Sequence, residues 1–306
     1  MILITKKEIR RFLVKKLLFV MNPFAGKRKA NKVLADIMTQ FCAAGFEVSV
    51  YMTQGQGDAQ AEVVRRAAQV DLVVCCGGDG TFNETVAGLM TSGLQVPIGY
   101  IPAGSTNDFA SSLGIPTNLM KATTRIIEGE PNRYDICRFG QRYFTYVASF
   151  GAFTKSSYAT PQSAKNALGH MAYVINGLQE LPQIHSEHLR LTFDDETIEG
   201  NYVFGAISNS TSLGGVLTMD PKRVSMQDGL FEVLLIRAPK NIIELGECLQ
   251  AMQNRTFASS MITMRSANRV VIQANSAMPW TLDGERQEGV DEVVVENVHN
   301  AIALIK

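Results

Sequence analysis

Between Leu17 and about Glu128, short apolar runs alternate with stretches whose apolar residues recur every three or four positions. Strand-sized runs fall at Leu17 to Asn22, Glu47 to Thr53, Leu72 to Gly77 and Pro97 to Pro102. Helical periodicity predicts helices around Asn31 to Ala44 and over Asp58 to Gln69, Thr81 to Met90 and Asn107 to Leu113. In the first of these, Val33, Leu34, Ile37, Met38 and Phe41 share one face, as a helix packed on a core requires. Such alternation predicts an α/β domain wound around a parallel sheet.

After Pro131 the pattern changes. Strand-like runs follow at Arg133 to Phe139, Arg142 to Phe150, Leu189 to Asp194, Thr197 to Asn209, Leu230 to Ile236, Arg269 to Ala274, Pro279 to Leu282 and Glu292 to Val298. Only two helical stretches interrupt them, Ala164 to Leu181 and Asn241 to Gln253. Strands without regular crossover helices predict a mainly antiparallel β-sandwich or barrel. The expected boundary lies near Asn132, separating an N-terminal parallel α/β domain (1–132) from a β-rich C-terminal domain (133–300).

Composition narrows the function classes. With 46% apolar residues in 306, the chain has ample core for two domains or one large one, which argues against disorder. The 29 basic residues balance 29 acidic ones, which argues against an obligate nucleic-acid binder. No apolar run approaches the roughly 20 residues needed to span a bilayer. The first sixteen residues carry basic charge but no long apolar region or cleavage site of a secretory signal. Five cysteines without metal-ligand spacing fit a reducing cytoplasm. Cys75 and Cys76 sit in a run that reads as a buried strand, where thiols behave as small apolar side chains.

The chemistry is concentrated where strands end. Leu72 to Gly77 runs into Gly77-Gly78-Asp79-Gly80-Thr81, followed by Asn83 and Glu84 and a predicted helix. Glycines let backbone approach a ligand closely, and N–H groups opening a helix attract phosphate oxygens. A carboxylate in such a loop makes sense when Mg²⁺ stands between it and the phosphates. The plain reading is a tight turn with Asp79 capping a helix. Two more strands end alike, in Asn22-Pro23-Phe24-Ala25-Gly26 and Gly104-Ser105-Thr106-Asn107-Asp108, and in an open parallel sheet ligands bind at the carboxyl ends of strands.

In this order and spacing, the three motifs resemble the diacylglycerol kinase catalytic family, which includes bacterial lipid kinases and sphingosine kinases. The resemblance extends to Asp228-Gly229-Leu230 and Leu282-Asp283-Gly284-Glu285. It implies that Ala301 to Lys306 returns to the first domain. It also implies ATP on Asn22, Pro23, Gly26, Thr53, Gly77, Gly78, Asp79, Gly80, Thr81, Glu84, Gly104, Ser105, Thr106 and Asn107. Asp79, Asp108 and Asp135 correspond to aspartates that organise the nucleotide's Mg²⁺, with a helix cap and an edge-strand charge as the plain readings of the last two. Ser225, Asp228 and Leu230 match a second Mg²⁺ site, which a turn before a strand would equally explain. Asp58 is expected to cap its helix.

The Asp283-Gly284 pair reads by itself as a hairpin turn. With the resemblance, Glu285 is the preferred base for the acceptor hydroxyl and Asp283 the close alternative. Phe150, Phe153, Tyr158, Tyr173, Met219 and Met261 are candidates for an apolar acceptor cleft, although core packing explains them as well. The basic and apolar leader before Lys16 fits either a helix lying on anionic membrane or a simple extension. The implied partner is a lipid substrate presented at a membrane surface, in a cytoplasmic or peripheral protein, and family members can be homodimers. Two rivals stand beside this reading: an NAD kinase-like enzyme, which shares a Gly-Gly-Asp-Gly loop, and a catalytically silent nucleotide- or lipid-binding regulator. The chain has neither a Gly-x-x-x-x-Gly-Lys-Ser/Thr loop nor the His-Arg-Asp and Asp-Phe-Gly set of protein kinases.

Overall fold

The computed structural model describes residues 14–151, 186–210, 212–213, 217–218, 224–253 and 259–306. The leader, the helix expected at Ala164 to Leu181, and Phe153, Tyr158, Tyr173 and Met219 lie outside the described residues. The chain divides into two compact units, Met1–Tyr134 with Ala301–Lys306, and Asp135–Asn300.

The first unit opens with β1 (Lys15–Met21), α1 (Lys29–Ala43), β2 (Phe46–Met52) and α2 (Asp58–Arg66), which tightens into a 3₁₀ turn over Ala67–Gln69. It continues with β3 (Leu72–Gly77), α3 (Asp79–Ser92), β4 (Ile98–Pro102), α4 (Asp108–Ser112) and α5 (Leu119–Glu128). The strands pair in parallel, as the alternation predicted, and their order is β2-β1-β3-β4. β3 and β4 are buried at every position, the condition of a central parallel strand covered on both faces. Against one face pack Ile37 and Phe41 of α1 and Ala122 and Ile126 of α5.

Helix α5 was not foreseen. Asn118 Oδ1 accepts from Lys121 N–H at 3.0 Å and starts the helix, whose Ala122, Thr123 and Ile126 are buried. Its apolar and polar residues separate cleanly by face, so the signal was present in the sequence, while adjacent Thr123 and Thr124, poor helix formers, lower its intrinsic propensity. The α2 cap also differs from expectation. Asp58 accepts from Gln54 N–H (2.7 Å) and Tyr51 Oη–H (2.8 Å), whereas the carboxylate of Glu84, on α3, accepts from Gly57 N–H (2.7 Å) and Ala59 N–H (3.2 Å).

β5 (Pro131–Phe139) leads out of the first unit. In the second lie β6 (Arg142–Phe144), β7 (Val147–Gly151), β8 (Glu187–Thr192), β9 (Thr197–Ser208) and the short pair β10 (Ser212–Leu213) and β11 (Leu217–Thr218). Then come β12 (Phe231–Arg237), α6 (Ile242–Gln253), β13 (Ile262–Ala267), β14 (Arg269–Gln273), β15 (Trp280–Leu282), β16 (Glu285–Gln287) and β17 (Glu292–Ile305). Within the second unit the pairings given for β7, β8, β9, β12, β13, β14, β15, β16 and the first part of β17 are antiparallel, as expected. Its core collects Phe139, Phe150 and Trp280 with Leu189, Phe231 and Val295. Both phenylalanine rings lie 5.0 Å from the Trp280 ring, centroid to centroid.

Two strand expectations change. Arg142 to Phe150 is two strands, β6 and β7, broken at Thr145 and Tyr146. The two separate runs at the C-terminus form one strand, β17, which passes through Asn300 at φ +54° and ends in the first unit, where Leu304 and Ile305 pair in parallel with Ile98 and Gly99 of β4.

Candidate functional site

Three loops leave the carboxyl edge of the parallel sheet and interlock through their backbones. Asn22 N–H donates to Cys76 O at 3.0 Å, and Ala103 N–H to Gly77 O at 2.8 Å. The Asn22 side chain joins two loops: Oδ1 accepts from Phe24 N–H at 2.9 Å and Nδ2 donates to Thr81 Oγ1 at 3.3 Å. Gly26 and Gly104 are where backbone must come close. A Cβ on Gly26 would lie 2.5 Å from Ala103 O, and one on Gly104 would lie 2.6 Å from the Cα of Gly78. Any side chain at either position would force the loops apart.

Each candidate has a definite place in this unit. Thr53 is buried and its N–H donates to Met21 O at 2.9 Å, so it follows β2 at the same sheet edge. Ser105 and Thr106 are exposed, while Asn107 is buried in a left-handed conformation and closes its own loop. Its Oδ1 accepts from Gly104 N–H and its Nδ2 donates to Gly104 O, both at 2.9 Å. Pro23 and Gly80 are partly buried, and Thr81 is buried. Beneath the loops Phe82 stacks on Tyr100 at 4.3 Å and on Phe109 at 4.6 Å, tying α3, β4 and α4 into one rigid base.

Asp79 is not the cap of its own helix. Gly78 holds the N-cap position of α3 without any side-chain cap. The Asp79 carboxylate reaches instead to α4, accepting from Asp108 N–H at 3.1 Å and Phe109 N–H at 3.3 Å. This brings Asp79 and Asp108 side by side. Glycine backbone beside a helix start suits polyphosphate oxygens. Among the described residues no three His, Cys, Asp or Glu side chains converge on a metal position. Mg²⁺ needs no such cage, since it takes one or two carboxylates with water and phosphate.

The remaining candidates belong to the second unit. Asp283 is buried at φ +49°, and its carboxylate accepts four hydrogen bonds: Thr145 N–H (2.6 Å), Thr145 Oγ–H (2.8 Å), Tyr146 N–H (3.0 Å) and Val147 N–H (3.0 Å). These donors lie in the break between β6 and β7 and at the first residue of β7, so Asp283 explains the break and ties it to the β15–β16 hairpin. Glu285, on the same hairpin, is about one-third exposed and pairs with Arg142 at 3.2 Å. Arg142 also donates to Gln287 Oε1 at 2.9 Å.

Asp135 is wholly buried and accepts from Gly229 N–H, His299 Nδ1–H and Asn300 N–H. In the Ser225–Leu230 turn, Ser225 Oγ accepts from Gln227 N–H at 3.2 Å and Asp228 Oδ1 from Leu230 N–H at 3.0 Å. Sequence reasoning passed over Arg142 and His299. Neither stands in a recognisable motif, and the carboxylate or amide partners that place them, Gln287 for Arg142 and Asp135 for His299, lie more than 140 residues away along the chain.

Comparison with known proteins agrees with this layout. The diacylglycerol kinase catalytic domain family matches residues 16–139, and the YegS C-terminal NAD kinase beta sandwich-like domain matches residues 148–306. A diacylglycerol kinase of Staphylococcus saprophyticus is 32% identical over 268 residues, covering 87% of each chain. One from Bacillus subtilis is 31% identical over 275 residues, covering 89% of this chain and 90% of the relative. The crystal structure of a diacylglycerol kinase from Bacillus anthracis superposes with a TM-score of 0.72 at 21% identity, over 95% of this chain and 96% of that one, a likeness of fold. Domain matches along almost the whole chain, with identities above 30%, place the protein in the diacylglycerol kinase catalytic family of lipid kinases.

Proposed function

We propose that this chain is an ATP- and Mg²⁺-dependent kinase that moves the γ-phosphate of ATP to the hydroxyl of diacylglycerol or a related lipid alcohol. The observation that carries the reading is the meeting of the Asn22–Gly26, Gly77–Thr81 and Gly104–Asp108 loops at one edge of the parallel sheet. Phosphoryl transfer asks the protein mainly to hold phosphates in line and to stabilise their charge. The glycine backbones and the α3 start would grip the phosphates, with Asp79 and Asp108 facing their ion. Bound Mg²⁺ would neutralise charge on the phosphates.

In the transfer, the acceptor oxygen bonds to the γ-phosphorus as the bond to the β-γ bridging oxygen breaks, ADP leaves, and a carboxylate takes the hydroxyl proton. Glu285 is the better base. The Asp283 oxygens are engaged by four donors in a site only 6% exposed, whereas the Glu285 carboxylate is about one-third exposed and pairs with Arg142. Because the acceptor is a lipid, the enzyme would meet it at a membrane surface. Among the described residues no helix is long and apolar enough to cross one.

Incubation of pure protein with labelled ATP, Mg²⁺ and a panel of lipid alcohols in mixed micelles tests the assignment. Label in phosphatidic acid or another phospholipid is expected. Label only in NADP, when NAD is offered, would transfer the assignment to an NAD kinase. Asp79→Asn should cut kcat by a hundredfold or more, roughly 3 kcal/mol in the barrier. The amide oxygen can still accept one α4 N–H, so the circular dichroism spectrum should be little changed. Near-normal turnover would mean that the ion is held elsewhere.

A further inference from the structure

Asp135 fastens several stretches of chain at one point. Its Oδ2 accepts from Gly229 N–H at 2.7 Å, and its Oδ1 from Asn300 N–H at 2.7 Å and His299 Nδ1 at 2.9 Å. Its main chain is held as firmly: the N–H donates to Met226 O at 2.8 Å, and the carbonyl accepts from Asn209 Nδ2 at 2.9 Å. β5, the Ser225–Leu230 turn and β17 are therefore linked through a single buried residue. An ionised carboxylate can only accept, so the His299 nitrogen facing it carries the proton. Asn300 Nδ2 stands 2.7 Å from His299 Nε2, which accepts in turn. With the Asn300 amide so oriented, the two contacts are those of a ring that carries its proton on Nδ1.

The same ring shapes the Asp228–Leu230 turn directly. Gly229 has φ +79°, and a Cβ built on it would lie 3.3 Å from His299 Nδ1. Leu230 O accepts from Asn297 Nδ2 at 2.8 Å, so β17 holds the turn at two points, His299 and Asn297. Asp228 Oδ1 on Leu230 N–H closes the turn from within, while Asp135 Oδ2 and Asn297 Nδ2 hold it from outside.

We infer that His299 is a positioning residue for a divalent-cation site on the Ser225–Leu230 turn: by donating Nδ1–H to Asp135, it fixes the carboxylate that holds Gly229 and so aims Asp228. The inference rests on the reading of that turn as a cation site. It adds a residue that touches no ion yet sets the affinity. Groups that orient metal ligands from behind typically change affinity 10- to 100-fold when removed.

Mn²⁺ binding to the full chain, followed by electron paramagnetic resonance without nucleotide, tests it with no recourse to activity. Asp228→Asn should abolish this binding. His299→Leu should weaken it by about 10- to 100-fold. His299→Asn, whose Nδ2 can stand where Nδ1 stood, should remain close to wild type, whereas His299→Gln, which reaches towards the Nε2 position, should resemble His299→Leu. Should His299→Leu fail to fold, the Asn and Gln variants still decide. Wild-type affinity in His299→Leu, or rescue by Gln rather than Asn, would overturn the positioning role while leaving the cation site intact. Unchanged binding in Asp228→Asn would defeat the cation site itself and the role of His299 with it.

Discussion

Glu232 shows at the residue scale what burial does to one carboxyl. It is 3% exposed on β12, with Oε1 3.5 Å from Ser266 Oγ and Oε2 without a hydrogen-bond partner. Burial first, and then the nearby charge of Asp228, pushes its carboxyl from the ordinary 4.5 up to about 7. Between those two values the unfolded chain has lost the proton while the folded chain keeps it. Stability therefore falls as pH rises from 4.5 to about 7, and the whole penalty remains above that. At about 1.4 kcal/mol per pH unit, the penalty is capped at roughly 3 kcal/mol. Glu232→Gln is expected to raise the melting temperature above pH 7 and to change it little below pH 4.5; an equal gain at both ends would show that ionisation is not the cause. Polar partnerships of this kind were the least legible part of the sequence. Asp283-Gly284 reads correctly as a turn, but the donors that saturate Asp283 stand 136 to 138 residues upstream, beyond any spacing rule.

Elements were legible where local periodicity and core packing ask for the same thing. β3 was placed to the residue, because a fully buried parallel strand is a continuous apolar run bounded by turn residues. The break between β6 and β7 was invisible, since Arg142 to Phe150 has strand-like composition and the interruption comes from Asp283. The nucleotide loops are intermediate: their glycines announce close approach, but not what they approach. Gly104 turns out to face Gly78, so Gly104→Ala would drive a methyl group to 2.6 Å from the Cα of Gly78. Separating the two loops should cost about 1–3 kcal/mol, the usual toll of overpacking. Because the strain falls where phosphates are proposed to sit, KM for ATP should rise more than the melting temperature falls. An alanine variant with wild-type KM would mean that this approach does not shape the nucleotide site.

On the scale of the whole molecule, the change from helix-punctuated to strand-rich text was visible at once, because each unit has its own core and its own period. The part played by the last residues is a matter of topology. Periodicity sees only a short apolar run at the C-terminus, yet Leu304 and Ile305 lie against Ile98 and Gly99 as the strand beyond β4. Ile302, Leu304 and Ile305 are all buried, at 3%, 0% and 7% exposure. At about 1.5–3 kcal/mol for each large aliphatic side chain, removing them forfeits roughly 5–9 kcal/mol, before β4 loses its neighbour. Domains are commonly stable by only about 5–15 kcal/mol, so this loss is comparable with the whole margin. Deleting residues 301–306 should therefore unfold the first unit, although its other residues all lie before 135. The expected signs are loss of helical circular dichroism and loss of ATP-analogue binding. Retained binding with an unchanged melting temperature would show that the four-stranded sheet β2-β1-β3-β4 is sufficient, and that the return of β17 is dispensable for the nucleotide loops.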